Sequence, residues 1–281
     1  MYAALAPPLV LAAHDAGAAN HMFAWLQPGD VPRLALAGPA MAGRPTMQLD
    51  RALEDASTLV SGTGWATAFE HEARRIARRR GIGSIAVIDH WTNYRERFVR
   101  DGEQILPDEI WVTDPYARAL AERTFEGVRV VEQPNAYLAA QVAQIPAGAA
   151  DPAHILYVLE PIREAWGALP EPGEFAALDH FAAHVGPNAQ VRLRPHPSDP
   201  PGKYDAWIAR LGARFALDSA PTLAAALGWA GTVVGCQTYA MVVALAAGRR
   251  VFTSIPPWAP ACVLPHDGIT PLSATNLMEL P

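Results

Sequence analysis

Short runs of aliphatic and β-branched residues alternate along the chain with stretches in which apolar residues return every three or four positions. The runs suit strands buried on both faces, and the periodic stretches suit helices that cover them. Their alternation predicts an α/β fold of parallel, doubly wound sheets. In the first half the runs predict strands over 9–13, 34–37, 58–61, 84–88, 109–112 and 128–131. Helical periodicity is clearest over 65–80 and 115–124.

Pro, Gly and Ala dominate 144–152, a composition suited to a linker, and the run 154–159 then restarts the alternation. Further strands are predicted over 190–194, 215–217, 232–235 and 250–254, with an apolar helix over 240–247. The expected architecture is therefore two Rossmann-like domains, 1–146 and 152–281, facing a cleft. The last segment, 265–281, reads as loop and short helix, placed to return towards the first domain. A length of 281 residues favours this division, because a single core seldom grows so large.

Composition narrows the function classes. A hydrophobic fraction of 51% with 18% charged residues describes a chain that buries large cores. A net charge of −6 opposes general nucleic-acid binding, which needs clustered cations to neutralise phosphates. The run Arg74, Arg75, Arg78, Arg79 and Arg80 has two readings: a solvated helix end favoured by the helix dipole, or a contact with an anionic acceptor or membrane surface. Cys236 and Cys262 form no Cys-x-x-Cys motif, so neither a disulfide framework nor a zinc site is indicated. The apolar start has no basic flank and is broken by Pro7-Pro8, which reads as a buried strand rather than a signal peptide. No apolar stretch is long enough to span a bilayer. The expectation is a cytoplasmic protein, soluble or peripheral on the inner membrane.

Doubly wound sheets bind ligands at the carboxyl ends of their strands, so the residues that follow each strand carry the candidate chemistry. The first strand leads into His14-Asp15-Ala16-Gly17-Ala18-Ala19-Asn20, where small residues leave room around a carboxylate. Asp15 reads either as a general base or as a helix cap. The third strand leads into Ser61-Gly62-Thr63-Gly64-Trp65, a loop contacting the acceptor or an ordinary tight turn. The fourth leads into Asp89-His90-Trp91-Thr92-Asn93-Tyr94-Arg95-Glu96-Arg97-Phe98. That mixture suits a sugar site, or a buried Asp-His-Arg network that supports the domain. Sugar contacts are expected from His14, Gly17, Asn20, Thr63, Asp89, His90, Asn93 and Arg95.

In the second half, Glu160 follows one strand and Arg194-Pro195-His196-Pro197 ends the next. Two prolines restrict the backbone around His196, and an imidazole so held can donate to a phosphate. Gly235-Cys236-Gln237-Thr238 then opens an apolar helix, offering backbone N–H groups to a phosphate or forming a plain strand-helix turn. Glu160, Arg194, Pro197, Gly235, Gln237 and Thr238 are the nucleotide-side candidates. Cys236 has no Cys-His-Asn context, which argues against covalent catalysis.

Arg194-Pro-His-Pro197, Gly235-Cys-Gln-Thr238 and the small-residue helix running into the strand near Phe252 resemble the carboxyl-terminal half of GT-B glycosyltransferases. The His-Pro element is similar to that of bacterial sialyltransferases, polysialyltransferases, Kdo transferases and CDP-glycerol polymerases, which use cytidine-nucleotide donors. The resemblance implies a metal-independent, inverting transfer with a CMP-sugar as co-substrate and no further cofactor. A nonulosonic-acid-like sugar would pass to a glycan, glycolipid or protein hydroxyl, with Asp15 as base and His196 and Thr238 stabilising the leaving cytidylate. Two departures stand out. The usual Ser-Ser or Ser-Thr pair is Cys236-Gln237-Thr238, and the paired-acid-Gly motif of sialyltransferases has only a loose counterpart in His14-Asp15-Ala16-Gly17. Rival readings are a UDP-sugar 2-epimerase, a polyol-phosphate transferase using CDP-glycerol, and a non-catalytic nucleotide-sugar-binding protein.

Overall fold

The computed structural model describes residues 2–65, 67–148 and 150–272. The chain divides into two compact units, Met1–Ala139 and Ala140–Pro281. The division falls within a helix just before the Pro/Gly/Ala stretch.

Unit 1 contains strands β1 (Leu9–Ala13), β2 (Arg33–Leu36), β3 (Thr58–Ser61), β4 (Gly83–Val87), β5 (Val99–Arg100), β6 (Glu103–Gln104), β7 (Glu109–Val112) and β8 (Arg129–Glu132). Its helices are α1 (Ala16–Ala24), α2 (Gly38–Met41), α3 (Leu49–Ala52), α4 (Phe69–Arg80), α5 (Pro115–Thr124) and α6 (Ala136–Ala143). Six strands form one parallel sheet in the order β2-β1-β3-β4-β7-β8, while β5 and β6 make a small antiparallel hairpin. The period-2 alternation of strands divides the core between the two faces. Leu11, Ala13, Val60, Ile85 and Val87 pack on one side with Ala18 and Met22 of α1. Val10, Ala12 and Leu59 pack on the other with Ala73, Ile76 and Ala77 of α4.

Helix α4 begins at Phe69 rather than at Trp65. It carries Glu70 and Glu72 in its first turn and Arg78, Arg79 and Arg80 in its last, matching the dipole, and stops at Gly81 with φ 68°. Its arginines do not form one basic face. Arg74 is 1% exposed, donates to Ser61 Oγ, the Gly62 carbonyl and the Arg97 carbonyl, and lies over the Phe98 ring. Arg75 and Arg79 pair with Glu72, and Arg80 pairs with Asp50.

Unit 2 repeats the plan with β9 (Asp151–Val158), β10 (Gln190–Arg194), β11 (Phe215–Leu217), β12 (Ala230–Gly235), β13 (Arg250–Thr253) and β14 (Ile269–Pro271). These strands form a parallel sheet ordered β11-β10-β9-β12-β13-β14. Helices α7 (Gly173–His184), α8 (Asp205–Leu211), α9 (Leu223–Trp229) and α10 (Tyr239–Ala246) complete it. Tyr157, Phe181, Leu193, Trp207, Phe215 and Val234 are among the residues of its main core. Strand β14 falls where loop and short helix were expected; residues 273–281 of that segment lie outside the described residues.

In both sheets the strand order reverses next to the first strand. The switch lies between β1 and β3 in unit 1 and between β9 and β12 in unit 2. No described helix is long and apolar enough to cross a membrane.

Candidate functional site

In unit 1 the turns after β1, β3 and β4 converge at the switch point. Asp15 occupies the N-cap position of α1 with extended backbone, yet its side chain makes no capping hydrogen bond to that helix. The carboxylate instead receives the His14 ring, Nδ1 to Oδ1 at 3.0 Å, and remains 36% exposed. An ionised carboxylate only accepts, so His14 holds a proton on Nδ1. The backbone leading into Asp15 is held from below: Glu70 Oε1 accepts the His14 N–H at 2.6 Å and the Asp15 N–H at 3.4 Å. Glu70 is 0% exposed.

The glycines of the second turn are explained by these carboxyls. A Cβ on Gly64 would stand 2.3 Å from Asp15 Oδ2 and 3.1 Å from Glu70 Oε1. One on Gly62 would stand 3.2 Å from Glu70 Oε1. The loop is thus a close passage beside two carboxyl groups, an unfavourable place for an anion. Thr63 is 0% exposed and has no hydroxyl to offer a substrate: its Oγ1 donates to the Val87 carbonyl and accepts from Arg97.

After β4, Asp89 lies against the first turn of α1, where a Cβ on Gly17 would be 1.9 Å from Asp89 Oδ2. Its Oδ1 accepts from Arg97 Nη1 at 3.1 Å, and Arg97 also donates through Nε to the Thr92 carbonyl. The buried Asp-Arg network is therefore real, and Arg97 rather than Arg95 makes it. Arg95 and Asn93 are exposed, Asn93 at φ 56° in the turn. His90 is half-buried beside Thr92 Oγ1, and burial pushes its pKa down. His14 is confined by Gly38, whose Cβ would reach within 2.4 Å of the ring Nε2. Asn20, half-buried on α1, bonds the Tyr137 hydroxyl.

Unit 2 presents different chemistry at its switch point. Glu160, following β9, accepts the Gln237 N–H at 3.0 Å, while burial pushes its pKa up. Gly235 is required for close approach, since a Cβ there would come within 2.8 Å of Val158 Cγ2 and 2.9 Å of the Val158 carbonyl oxygen. Thr238 caps α10 with extended backbone but makes no side-chain capping bond. Gln237 Oε1 accepts from the Val263 N–H at 3.4 Å. Burial pushes the Cys236 thiol up to about 12, which removes it as a nucleophile.

His196 is held from two sides. Its Nδ1 accepts the Ser198 N–H at 3.2 Å and lies 2.8 Å from Ser198 Oγ, so the neutral ring carries its proton on Nε2. Its backbone N–H donates to Asp199 Oδ2, which also accepts from the Tyr204 hydroxyl. Lys203 Nζ bridges Asp199 and Glu174, and Glu174 Oε2 accepts the Arg163 N–H. Burial opposes ionisation of Asp199, but the bonds from Lys203, Tyr204 and the His196 amide prevail and hold its pKa down. Pro197 is exposed beside this turn. Arg194 is engaged internally, donating to Asp218 and the Ala220 carbonyl.

Glu70, Arg97, Asp199, Lys203 and Glu174 were not among the sequence candidates. The nearest signal was the glycine-rich turn Ser61–Trp65 ahead of the predicted helix that contains Glu70, which marked a position but not a direction. The structure thus assembles a carboxylate cluster in unit 1, while unit 2 carries an oriented imidazole after β10 and a loop amide and a threonine hydroxyl after β12. Among the described residues no three His, Cys, Asp or Glu side chains converge as a metal-ligand set.

No protein-family model matches the chain, and no curated protein matches it in sequence. Solved structures are similar in fold. A Listeria monocytogenes protein assigned as a UDP-N-acetylglucosamine 2-epimerase superposes with a TM-score of 0.59 at 13% identity, over 88% of this chain and 79% of that one. The UDP-GlcNAc 2-epimerase of Neisseria meningitidis, bound to UDP-GlcNAc, gives 0.56 at 9% identity, over 87% and 82%. The glycosyltransferase of kitacinnamycin gives 0.55 at 14% identity, over 95% and 86%. At these identities the similarity establishes a shared fold, the GT-B arrangement of two parallel α/β sheets found in glycosyltransferases and sugar-nucleotide epimerases.

Proposed function

We propose that the chain is a glycosyltransferase that moves a nonulosonic-acid-like sugar from a CMP donor to a hydroxyl of a glycan, glycolipid or protein. The observation that carries this reading is the division of chemistry between the strand-end turns of the two units. Unit 1 offers the half-exposed Asp15 carboxylate, suited to removing a proton from an acceptor hydroxyl. Unit 2 offers the Nε2–H of His196 and the hydroxyl of Thr238, which makes no capping bond to α10, groups suited to a phosphate.

In this mechanism Asp15 takes the acceptor proton as the oxygen attacks the anomeric carbon. His14 Nδ1–H, bonded to Oδ1, keeps that oxygen occupied and directs the reaction to Oδ2. The bond from the anomeric carbon to the phosphate oxygen breaks with its electron pair on the departing CMP, whose added charge His196 and Thr238 stabilise. The choice of CMP rests on the resemblance of Arg194-Pro-His-Pro197 to cytidine-nucleotide transferases. Asp89 and His90 are assigned to sugar hydroxyls.

A second reading is favoured by the number of carboxyls in unit 1. Asp15, Glu70 and Asp89 would also serve acid–base chemistry on a UDP-sugar, as in a 2-epimerase. Incubation with a CMP-nonulosonate plus an acceptor panel, and separately with UDP-GlcNAc alone, tests both. CMP release that requires an acceptor supports the transferase. Conversion of UDP-GlcNAc without an acceptor refutes it.

A further inference from the structure

We propose that Glu70 is the positioning residue of the unit 1 site: its carboxyl clamps the turn after β1 and so fixes where Asp15 presents its own. The catalytic part of this inference rests on the reading of Asp15 as the base.

The turn from β1 into α1 leaves two successive backbone N–H groups, of His14 and Asp15, at the point where sheet pairing ends. Both donate to the same Glu70 oxygen, at 2.6 and 3.4 Å. Buried amides need a partner, and a side chain on the first turn of a packed helix supplies a rigid one. α4 packs on the sheet through Ala73, Ile76 and Ala77, so the position of Glu70 is set by the core rather than by the loop it holds.

Two further elements close around the carboxyl. From the turn after β3, Gly62 and Gly64 each leave room that a single methyl would fill, at 3.2 and 3.1 Å from Glu70 Oε1. Gly64 also lies directly under Asp15, with 2.3 Å between its would-be Cβ and Asp15 Oδ2. From α1, Ala18 meets the same passage at Gly62. The second oxygen, Glu70 Oε2, is buried with no hydrogen-bond partner among the described residues. The clamp uses Oε1 alone, which accepts from both amides, while Oε2 lies in the buried passage. Burial and the neighbouring Asp15 charge push the Glu70 pKa up, while the two amides oppose them; Arg74, one turn along α4, is the nearby cation. A glutamine preserves this arrangement, with its amide oxygen at Oε1, whereas alanine removes it.

The test uses the full chain with Glu70→Gln, Glu70→Ala and Gly64→Ala variants, each checked for folding by thermal unfolding. Amide proton shifts of His14 and Asp15, read by selective 15N labelling, report the clamp without any substrate. Glu70→Gln should keep both shifts near those of the wild type, and Glu70→Ala should move both upfield. In the CMP-nonulosonate transfer assay, Glu70→Ala and Gly64→Ala should lower kcat by about 100-fold, the scale of a lost general base. The donor KM should change less than about threefold, as expected when only transition-state positioning is lost. Glu70→Gln should restore transfer to within about fivefold of the wild type. Unmoved amide shifts in Glu70→Ala, or a Glu70→Gln variant as impaired as Glu70→Ala, would overturn the clamp. Full transfer by Asp15→Asn would instead remove the base reading and the catalytic role of the clamp, leaving the amide shifts as an independent result.

Discussion

Arg97 and Asp89 form an ion pair at 3.1 Å in which the arginine side chain is only 6% exposed. The same guanidinium reaches Thr63 Oγ1 and the carbonyls of Thr63 and Thr92, so it ties the turn after β4 to the turn after β3. Removing one partner of such a pair leaves a buried charge without compensation. Arg97→Ala is therefore expected to destabilise unit 1 by about 3 kcal/mol or more. Arg95→Ala, on an exposed side chain, should change stability by less than about 0.5 kcal/mol. Urea unfolding of the two variants measures the contrast, and equal effects would contradict the network.

A pH dependence follows from Glu160. Its folded pKa is raised by burial, against the pull of the Gln237 amide, so the folded state holds its proton more tightly than the unfolded chain. The stability this group contributes is complete below the ordinary carboxyl range and is lost as pH rises through the raised value. Glu160→Gln should remove that part of the decline. Urea midpoints of the wild type and the variant across that window provide the measurement, with convergence expected on the acid side.

Asp199 has the opposite sign. Lys203, Tyr204 and the His196 amide together outweigh burial and hold its pKa below the usual value. Its contribution is present above the ordinary carboxyl range and is lost as pH falls through the lowered folded value. Asp199→Asn should flatten this acid limb. It should also weaken transfer through a looser His196 while leaving Asp15 untouched. A variant with unchanged acid stability would contradict the assignment.

Cys236 should be inert as a nucleophile. With its thiol pushed up to about 12 by burial, little thiolate forms near neutral pH. Intact mass after iodoacetamide treatment should show no label at Cys236 in the folded chain and full labelling after unfolding. Cys236→Ala should retain transfer; its loss would reopen covalent catalysis.

The fold was legible in the chain because strand runs and helix periodicity are local signals. β1, β3, β7, β10 and β11 fall where the runs predicted them, and β2 and β4 differ by one residue at their ends. β14 was missed because Ile269-Thr-Pro271 is too short to show a pattern and contains a proline. The start of α4 was misplaced because its N-cap, Ala68, has no capping side chain to mark the boundary in the sequence. The site was legible only as positions following strands. Asp15 and His196 could be proposed from their places after β1 and β10, but the choice of Arg97 over Arg95 depends on which side chain turns inward, and neighbouring residues of one type give no clue to that. Thr63 could be read as a ligand contact only while its partner Arg97 was unknown.

The reaction assigned to the strand-end turns of the two units is tested most directly by CMP release from a CMP-nonulosonate, with and without an acceptor, using the wild type, Asp15→Asn and His196→Ala. The account predicts acceptor-dependent release by the wild type and a loss of at least about 100-fold in each variant. Release unaffected by both substitutions, or turnover of UDP-GlcNAc with no acceptor present, would contradict it.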